Sequence, residues 1–99
     1  MKVESLLAPV STSPIEDTAH RLAIKRLKAA GFEVLPYDGE GVDVRIGIFK
    51  VVIVYFQDKE QPWRMVFIRE EDYRVIERYQ RHSFEDVLRI LNRMKEQTP

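Results

Sequence analysis

The spacing of apolar residues changes along this chain, and the first part has the spacing of a helix. From position 15 to position 30 apolar residues recur three or four positions apart, which is typical of an amphipathic helix. Ser13, Pro14 and Glu16 form the sequence of a capping box with proline in the first turn. Gly31 stands where a C-terminal cap is expected. We therefore predict a helix that begins after Ser13 and ends before Gly31.

The middle of the chain is rich in β-branched and aromatic residues and predicts strands. Residues 38–41 are glycines and acids and predict a turn. Gly47 predicts a second turn between two strands, although one bulged strand is the alternative. Residues 51–56 are apolar on both faces, which predicts a central strand covered on both sides. The predicted strands are 32–35, 42–48, 50–57 and 64–68.

The last third of the chain predicts two helices. Residues 70–80 place Tyr73, Ile76 and Tyr79 on one side of a helix. Ser83 predicts the N-cap of a final helix with an apolar stripe made by Phe84, Val87, Leu88, Leu91 and Met94. The pattern as a whole predicts an α/β domain of the α+β type, with one helix, three to four mostly antiparallel strands and two C-terminal helices. We expect a single domain over 1–99, with an extended arm at 1–12 and a compact core at 13–95.

Composition narrows the class of protein without identifying a function. The chain has 99 residues, is 44% apolar and 32% charged, and has no net charge. These values predict one globular domain with no overall attraction to nucleic acid or membrane. The absence of cysteine excludes disulfides and thiolate metal sites. No apolar run is long enough to span a bilayer, so we expect a soluble, cytoplasmic protein without a membrane partner.

Three polar residues around the predicted central strands suggest phosphodiester chemistry. Metal-dependent cleavage needs carboxylates to hold Mg²⁺ and a cation near the attacking water. Asp43 lies early in one predicted strand, and Gln57 and Lys59 point to the same face if the next strand continues through them. Fourteen positions separate Asp43 from Gln57. We therefore expect adjacent antiparallel strands to bring them to one end of the sheet.

Short motifs around these residues resemble known nucleases. Residues 31–34, 39–43 and 57–59 read Gly-Phe-Glu-Val, Gly-Glu-Gly-Val-Asp and Gln-Asp-Lys. They resemble the methyl-directed restriction endonuclease family of the PD-(D/E)xK nuclease superfamily, which uses Gln-x-Lys in place of Glu-x-Lys. Residues 64–73 are similar to the segment that follows the catalytic lysine in archaeal Holliday-junction resolvases. Those proteins also carry a glutamate early in the first helix, which here is Glu16.

The resemblance implies a restriction-endonuclease-like core and Mg²⁺-dependent cleavage of DNA. It implies that Glu16 and Asp43 are metal ligands, that Gln57 is a neutral ligand and that Lys59 is the catalytic cation. Gln57 brings no charge to the metal, unlike the usual carboxylate. The family core also includes a crossover helix and further strands, whereas this chain ends in a predicted helix.

Each candidate residue also has a structural interpretation. Glu16 can have no role beyond the capping box that it forms with Ser13. Asp43 can simply be a polar residue at a strand edge. Residues 57–61 can form a solvated loop, and the acids of 38–43 form a plain turn rather than a Ca²⁺ loop. The two histidines, His20 and His82, are expected at surface or boundary positions.

Six basic residues are candidates for contacts with phosphates. They form two predicted helical stripes, which are Arg21, Lys25 and Lys28 in the first and Arg74, Arg78 and Arg81 in the second. Glutamates four positions before Arg74 and Arg81 favour ordinary salt bridges within a solvated helix face instead.

Two functions therefore remain open. The first is a small nuclease-like enzyme that cuts DNA with Mg²⁺. The alternative is a catalytically degenerate nuclease-fold module that binds nucleic acid or protein, as a homodimer that uses its apolar C-terminal helix. A third arrangement, like that of double-stranded-RNA-binding domains, is also compatible with the order of elements.

Overall fold

The computed structural model describes residues 13–97, which form a five-stranded antiparallel sheet flanked by two helices. The predicted α+β class is confirmed, and the predicted arm at 1–12 lies outside the described residues. The elements are α1 (Pro14–Ala29), β1 (Glu33–Val34), β2 (Val42–Ile46), β3 (Phe49–Tyr55), β4 (Trp63–Arg69), β5 (Arg74–Arg81) and α2 (Phe84–Gln97).

Local signals at both ends of α1 act as predicted. The Ser13 Oγ accepts the Glu16 backbone N–H at 3.1 Å, and Glu16 Oε1 accepts the Ser13 N–H at 3.2 Å. This is a complete capping box, with Pro14 in the first turn. Gly31 follows the C-cap with a φ of +88°, a left-handed conformation that ends the helix at low steric cost.

The sheet is a simple meander in which each strand pairs with the next along the chain. Gly47, with a φ of +59°, lies in the turn between β2 and β3. Val44 pairs with Val51 across this hairpin, and the pairing confirms two strands rather than one bulged strand.

Both helices cover the same face of the sheet. Ala23 and Leu27 of α1 and Val87 and Leu91 of α2 pack in one core with alternate residues of the strands. These strand residues are Val42, Val44, Ile46, Val51, Ile53, Trp63, Met65 and Phe67. The alternation follows from the two-residue period of a strand, which sends successive side chains to opposite faces.

The second predicted helix is wrong, because residues 74–81 form strand β5. The chain reverses before it, where Arg69 forms an ion pair with Asp72 at 2.9 Å and Asp72 Oδ1 accepts the Arg74 N–H at 3.3 Å. Pairing with β4 then satisfies one side of the backbone of β5, which is an edge strand, with a shift of register between Phe67 and Ile68. The helix-like spacing of Tyr73, Ile76 and Tyr79 therefore spans the turn and the irregular part of β5.

The prediction that both faces of the central strand are covered is also wrong for the described residues. No helix or strand of residues 13–97 packs on the side of the sheet away from α1 and α2. We call this side the open sheet face. It is made by Asp43, Arg45, Lys50, Val52, Val54, Arg64, Val66, Ile68, Val75, Arg78 and Gln80, which alternate with the core residues or pair with those that do. Within residues 13–97, neither helix has the length and apolar character required to cross a membrane.

Candidate functional site

The hairpin register separates Asp43 from Gln57. Asp43 pairs with Val52, whereas Gln57 lies five positions further along, beyond the end of β3 at Tyr55. At about 3.3 Å per residue this is roughly 16 Å along the strand direction. The expectation that these residues meet at one end of the sheet is therefore wrong. The turn at 47–48 places Ile46 opposite Phe49. Counting three residues back from Ile46 and three forward from Phe49 then places position 43 opposite position 52.

Asp43 lies on the open sheet face among apolar neighbours. Its backbone carbonyl accepts the Leu35 N–H at 2.9 Å and so joins β2 to the chain after β1. Partial burial raises the pKa of its carboxyl group, the positive charge of Lys50 opposes this change, and Asp38 adds to it.

Gln57 and Lys59 lie in the loop between β3 and β4 rather than on a strand. Asp58 between them has a φ of +67°, so the alternation of an extended strand does not apply to this pair. Lys59 is exposed, and it forms no ion pair with the other residues of 13–97. Its predicted role as a catalytic cation stays a prediction.

Glu16 and Gln57 do meet, in a clamp that also includes Ser13. Glu16 Oε2 accepts the Gln57 backbone N–H at 3.1 Å, and the Ser13 hydroxyl donates to Gln57 Oε1 at 2.8 Å. The other oxygen of Glu16 is used by the capping box. The clamp therefore fastens the start of α1 to the loop after β3, and each oxygen of the Glu16 carboxylate accepts one backbone N–H.

The donor set at these positions does not fit Mg²⁺. The ion needs several oxygen ligands in near-octahedral geometry. Glu16 belongs to the clamp beyond the end of β3, and Asp43 belongs to the open sheet face. Across residues 13–97, no three histidine, aspartate or glutamate side chains come close enough to hold a metal together. This pair therefore gives no basis for a catalytic step through a metal.

The six candidate phosphate contacts do not form stripes on two helices, because three of them lie on a strand. Arg21 forms an ion pair with Asp17 at 2.8 Å, and Lys25 and Lys28 are exposed on α1. The other three lie on β5, where Arg78 belongs to the open sheet face while Arg74 and Arg81 pair with residues on the helix-covered side. Binding of nucleic acid by these residues stays a prediction.

The sequence pattern predicted the wrong position for one histidine. His20 was expected at the surface or boundary, but it is fully buried. Its Nε2 accepts the Tyr55 backbone N–H at 2.9 Å, so Nδ1 carries the proton and donates to the Tyr37 hydroxyl at 3.1 Å. Tyr37 in turn donates to Asp17 Oδ1 at 2.8 Å. The position of His20 three residues before Ala23 and seven before Leu27, on the buried side of α1, was the available signal.

The environment of His20 favours its neutral form. Burial lowers the pKa of the imidazole, and the negative charges of Glu16 and Asp17 oppose this only in part. Both ring nitrogens already have partners, so neither is available as a general base. His20 is a structural link between α1, β3 and the loop that contains Tyr37.

Comparisons of the chain with protein-family models, with curated proteins and with solved structures found no match.

Replacing Glu16 with alanine should lower the free energy of unfolding by about 1–2 kcal/mol, because the Ser13 and Gln57 backbone N–H groups both lose their acceptor while the Ser13 hydroxyl still caps the helix. Urea unfolding of Glu16→Ala beside Glu60→Ala, which removes an exposed carboxylate from the adjacent loop, measures this effect. We expect Mg²⁺ to leave the stability of the wild type unchanged. A metal-ligand role would give the opposite result, with Mg²⁺ stabilising the wild type but not Glu16→Ala.

Proposed function

We propose that the protein is a binding module that pairs with a second copy of itself through the open sheet face, and that metal-dependent cleavage is not its activity. The observation that carries the proposal is one row of residues across this face. The row consists of Asp43, Val52, Val66 and Arg78, in that order over four neighbouring strands. An acid and a base thus lie at opposite ends of an apolar centre.

This row is self-complementary for one arrangement of two copies. A two-fold axis parallel to the strands, between β3 and β4, reverses the row in the second copy. Val52 then faces the partner's Val66, and Asp43 faces the partner's Arg78. An axis across the strands would bring the two Asp43 carboxylates together, which costs free energy. Charge therefore favours one orientation of the pair.

Burial of the apolar centre would stabilise the association of two sheets. Val52, Val54, Val66 and Ile68 lie only half-buried on the open sheet face. Phe56 continues this apolar surface beyond β3 with 40% of its area exposed, and the Arg64 guanidinium lies 5.5 Å from the centre of its ring. Face-to-face packing of aligned sheets removes such surfaces from water.

The size of the face is sufficient for a reversible dimer. Four strands about 4.8 Å apart and about seven residues long project to roughly 440 Å² in each copy. As a flat projection, the pair would bury roughly 900 Å², and the uneven surface of the side chains would add to this area. Specific interfaces begin at ~1,000 Å². A face of this size lies near the lower limit for a specific interface, so we expect a reversible equilibrium between monomer and dimer.

In this proposal the restriction-endonuclease-like relationship is limited to α1 and the β2–β3 hairpin. Glu16 and Gln57 are neighbours there, although their contact is made by the Gln57 backbone N–H and not by two ligand oxygens. The separation of Asp43 from both residues argues against cleavage of DNA. The open sheet face also has few aromatic side chains for stacking bases, which favours a protein partner over a single-stranded nucleic acid.

Sedimentation of the purified protein over a wide range of concentration tests the pairing. We expect a monomer–dimer equilibrium for the wild type and a monomer for Val52→Lys and Val66→Lys, since each places a cation in the apolar centre. Ile15→Lys is the matched control, because Ile15 is 58% exposed on α1 and lies away from this face. A wild type that stays monomeric at every concentration, or a control that dissociates equally, would overturn the proposal.

A further inference from the structure

A second apolar surface lies on the helix-covered side of the sheet, beside α1. A hollow of about 510 Å³ opens there, and its floor is made by aromatic side chains of β3, β4 and the first residue of α2. This volume lies within the ~300–1,000 Å³ usual for small-molecule sites. The hollow is separate from the open sheet face and goes beyond the proposed pairing.

The floor is a continuous run of three aromatic rings. The Tyr55 and Trp63 ring centres are 4.9 Å apart, and those of Trp63 and Phe84 are 5.0 Å apart. Trp63 and Phe84 are each 7% exposed, so the rings are held firmly in the core. Leu22, which is 56% exposed, forms an apolar wall at the mouth. A ligand here would contact mainly carbon atoms.

The polar groups around the hollow favour an anion. Arg26 is engaged by Glu85 at 2.9 Å and lies 5.1 Å from the centre of the Phe84 ring, so its charge is largely compensated. Lys25 also lines the hollow, and no carboxylate of residues 13–97 forms an ion pair with it. Lys25 is therefore the uncompensated cation at the edge of an apolar cavity.

We infer that this hollow binds a small amphipathic carboxylate, with its apolar chain over the aromatic floor and its carboxylate at Lys25. The apolar part of the ligand is transferred from water to the surface of the aromatic rings. The carboxylate stays at the exposed mouth, beside the Lys25 ammonium group. Lysine provides such a point charge on a flexible stem, which suits a ligand head that remains partly solvated.

Trp63 is the only tryptophan of the chain and reports directly on occupancy of the hollow. Decanoate is the probe, and 1-decanol is its uncharged counterpart. We expect decanoate to change the emission of Trp63 in a saturable way, and to bind more tightly than decanol. In Lys25→Gln the affinity for decanoate should fall by about tenfold, with the affinity for decanol unchanged, because only the charge-assisted contact is lost.

Two further variants separate the site from general effects of charge and hydrophobicity. Lys28→Gln removes another exposed cation of α1, one that does not line the hollow, and its affinity for decanoate should equal that of the wild type. Leu22→Asp should weaken both probes. The inference is overturned if decanoate leaves the Trp63 emission unchanged, if decanol binds as tightly as decanoate, or if the two lysine variants behave alike. An acidic amphipathic peptide that changes the emission where decanoate does not would also overturn it.

Discussion

Replacing His20 with alanine is expected to lower the free energy of unfolding by about 3 kcal/mol, because the imidazole both fills space in the core and makes two hydrogen bonds. The substitution leaves the Tyr55 backbone N–H without its acceptor and removes one partner of the Tyr37 hydroxyl. It also creates a cavity where the imidazole is fully buried. Urea unfolding followed by Trp63 fluorescence gives the difference directly.

The stability contributed by His20 should also depend on pH. Burial lowers the pKa of His20 in the folded protein, whereas the unfolded chain has the ordinary value of about 6.5. Between the two values the unfolded state binds more protons, so the stability is complete above about pH 6.5 and is lost as the pH falls below it. We expect the wild type to lose more stability than His20→Gln between neutral and mildly acidic pH.

His82→Ala is the matched control for both measurements, because His82 is exposed. It should keep the stability of the wild type, and the loss of stability that His20 causes on acidification should remain. His20→Gln retains an acceptor for the Tyr55 N–H and should lose less stability than His20→Ala, which keeps the comparison possible if the alanine variant does not fold. A His20→Ala protein within about 0.5 kcal/mol of the wild type would contradict a structural role for the buried imidazole.

Reversing the charge of Arg78 is expected to weaken self-association by about a hundredfold. In the proposed pairing Arg78→Asp creates two symmetry-related contacts between acids, and about 1.4 kcal/mol at each amounts to that factor. The charge-swapped double variant, with Asp43→Arg and Arg78→Asp together, should recover most of the affinity. Sedimentation of the single and double variants measures both results.

Recovery in the double variant distinguishes a specific contact from a general change in charge. Arg93→Asp on α2 makes the same change of charge on an exposed helix position and should leave association unaffected. Failure of the double variant to associate, while Arg93→Asp does, would contradict the proposed orientation of the two copies.

Association should weaken at low pH through the same contact. Burial raises the pKa of Asp43 above its ordinary value of 3.8 in the single chain, and the charged and titratable groups around it are Lys50 and Asp38. A facing arginine would lower the pKa in the dimer, so that the dimer binds fewer protons than two free copies. Affinity is then present at neutral pH and falls as the pH drops through the raised pKa.

Features that depend on neighbours in sequence were predictable. The capping box of Ser13 and Glu16, the left-handed Gly31 and the turn at Gly47 each require only a few consecutive residues. The steric and hydrogen-bonding reasons for them are the same in any protein. The α+β class followed from the same local information, since the helical and strand-like spacings lie in separate stretches of the chain.

Features that depend on distant residues were not predictable in the same way. The spacing of Tyr73, Ile76 and Tyr79 fits a helix, but Tyr73 lies in the turn before β5, Ile76 is passed over at the register shift and Tyr79 pairs with Met65. Only the pairing with β4 distinguishes the strand from a helix. The separation of 14 positions between Asp43 and Gln57 suggested a meeting that the register of the hairpin does not allow.

By itself, the sequence determined the two terminal helices, the β2–β3 hairpin and the excess of apolar residues on the central strand, because hydrophobic spacing and cap chemistry act locally. Only the tertiary structure decided that Glu16 serves a clamp with Gln57, that His20 is buried and that one face of the sheet is left open. These outcomes depend on the register of the strands and on the packing of both helices against the same face of the sheet. Such choices are made by contacts between residues far apart in the chain, for which local spacing carries no information.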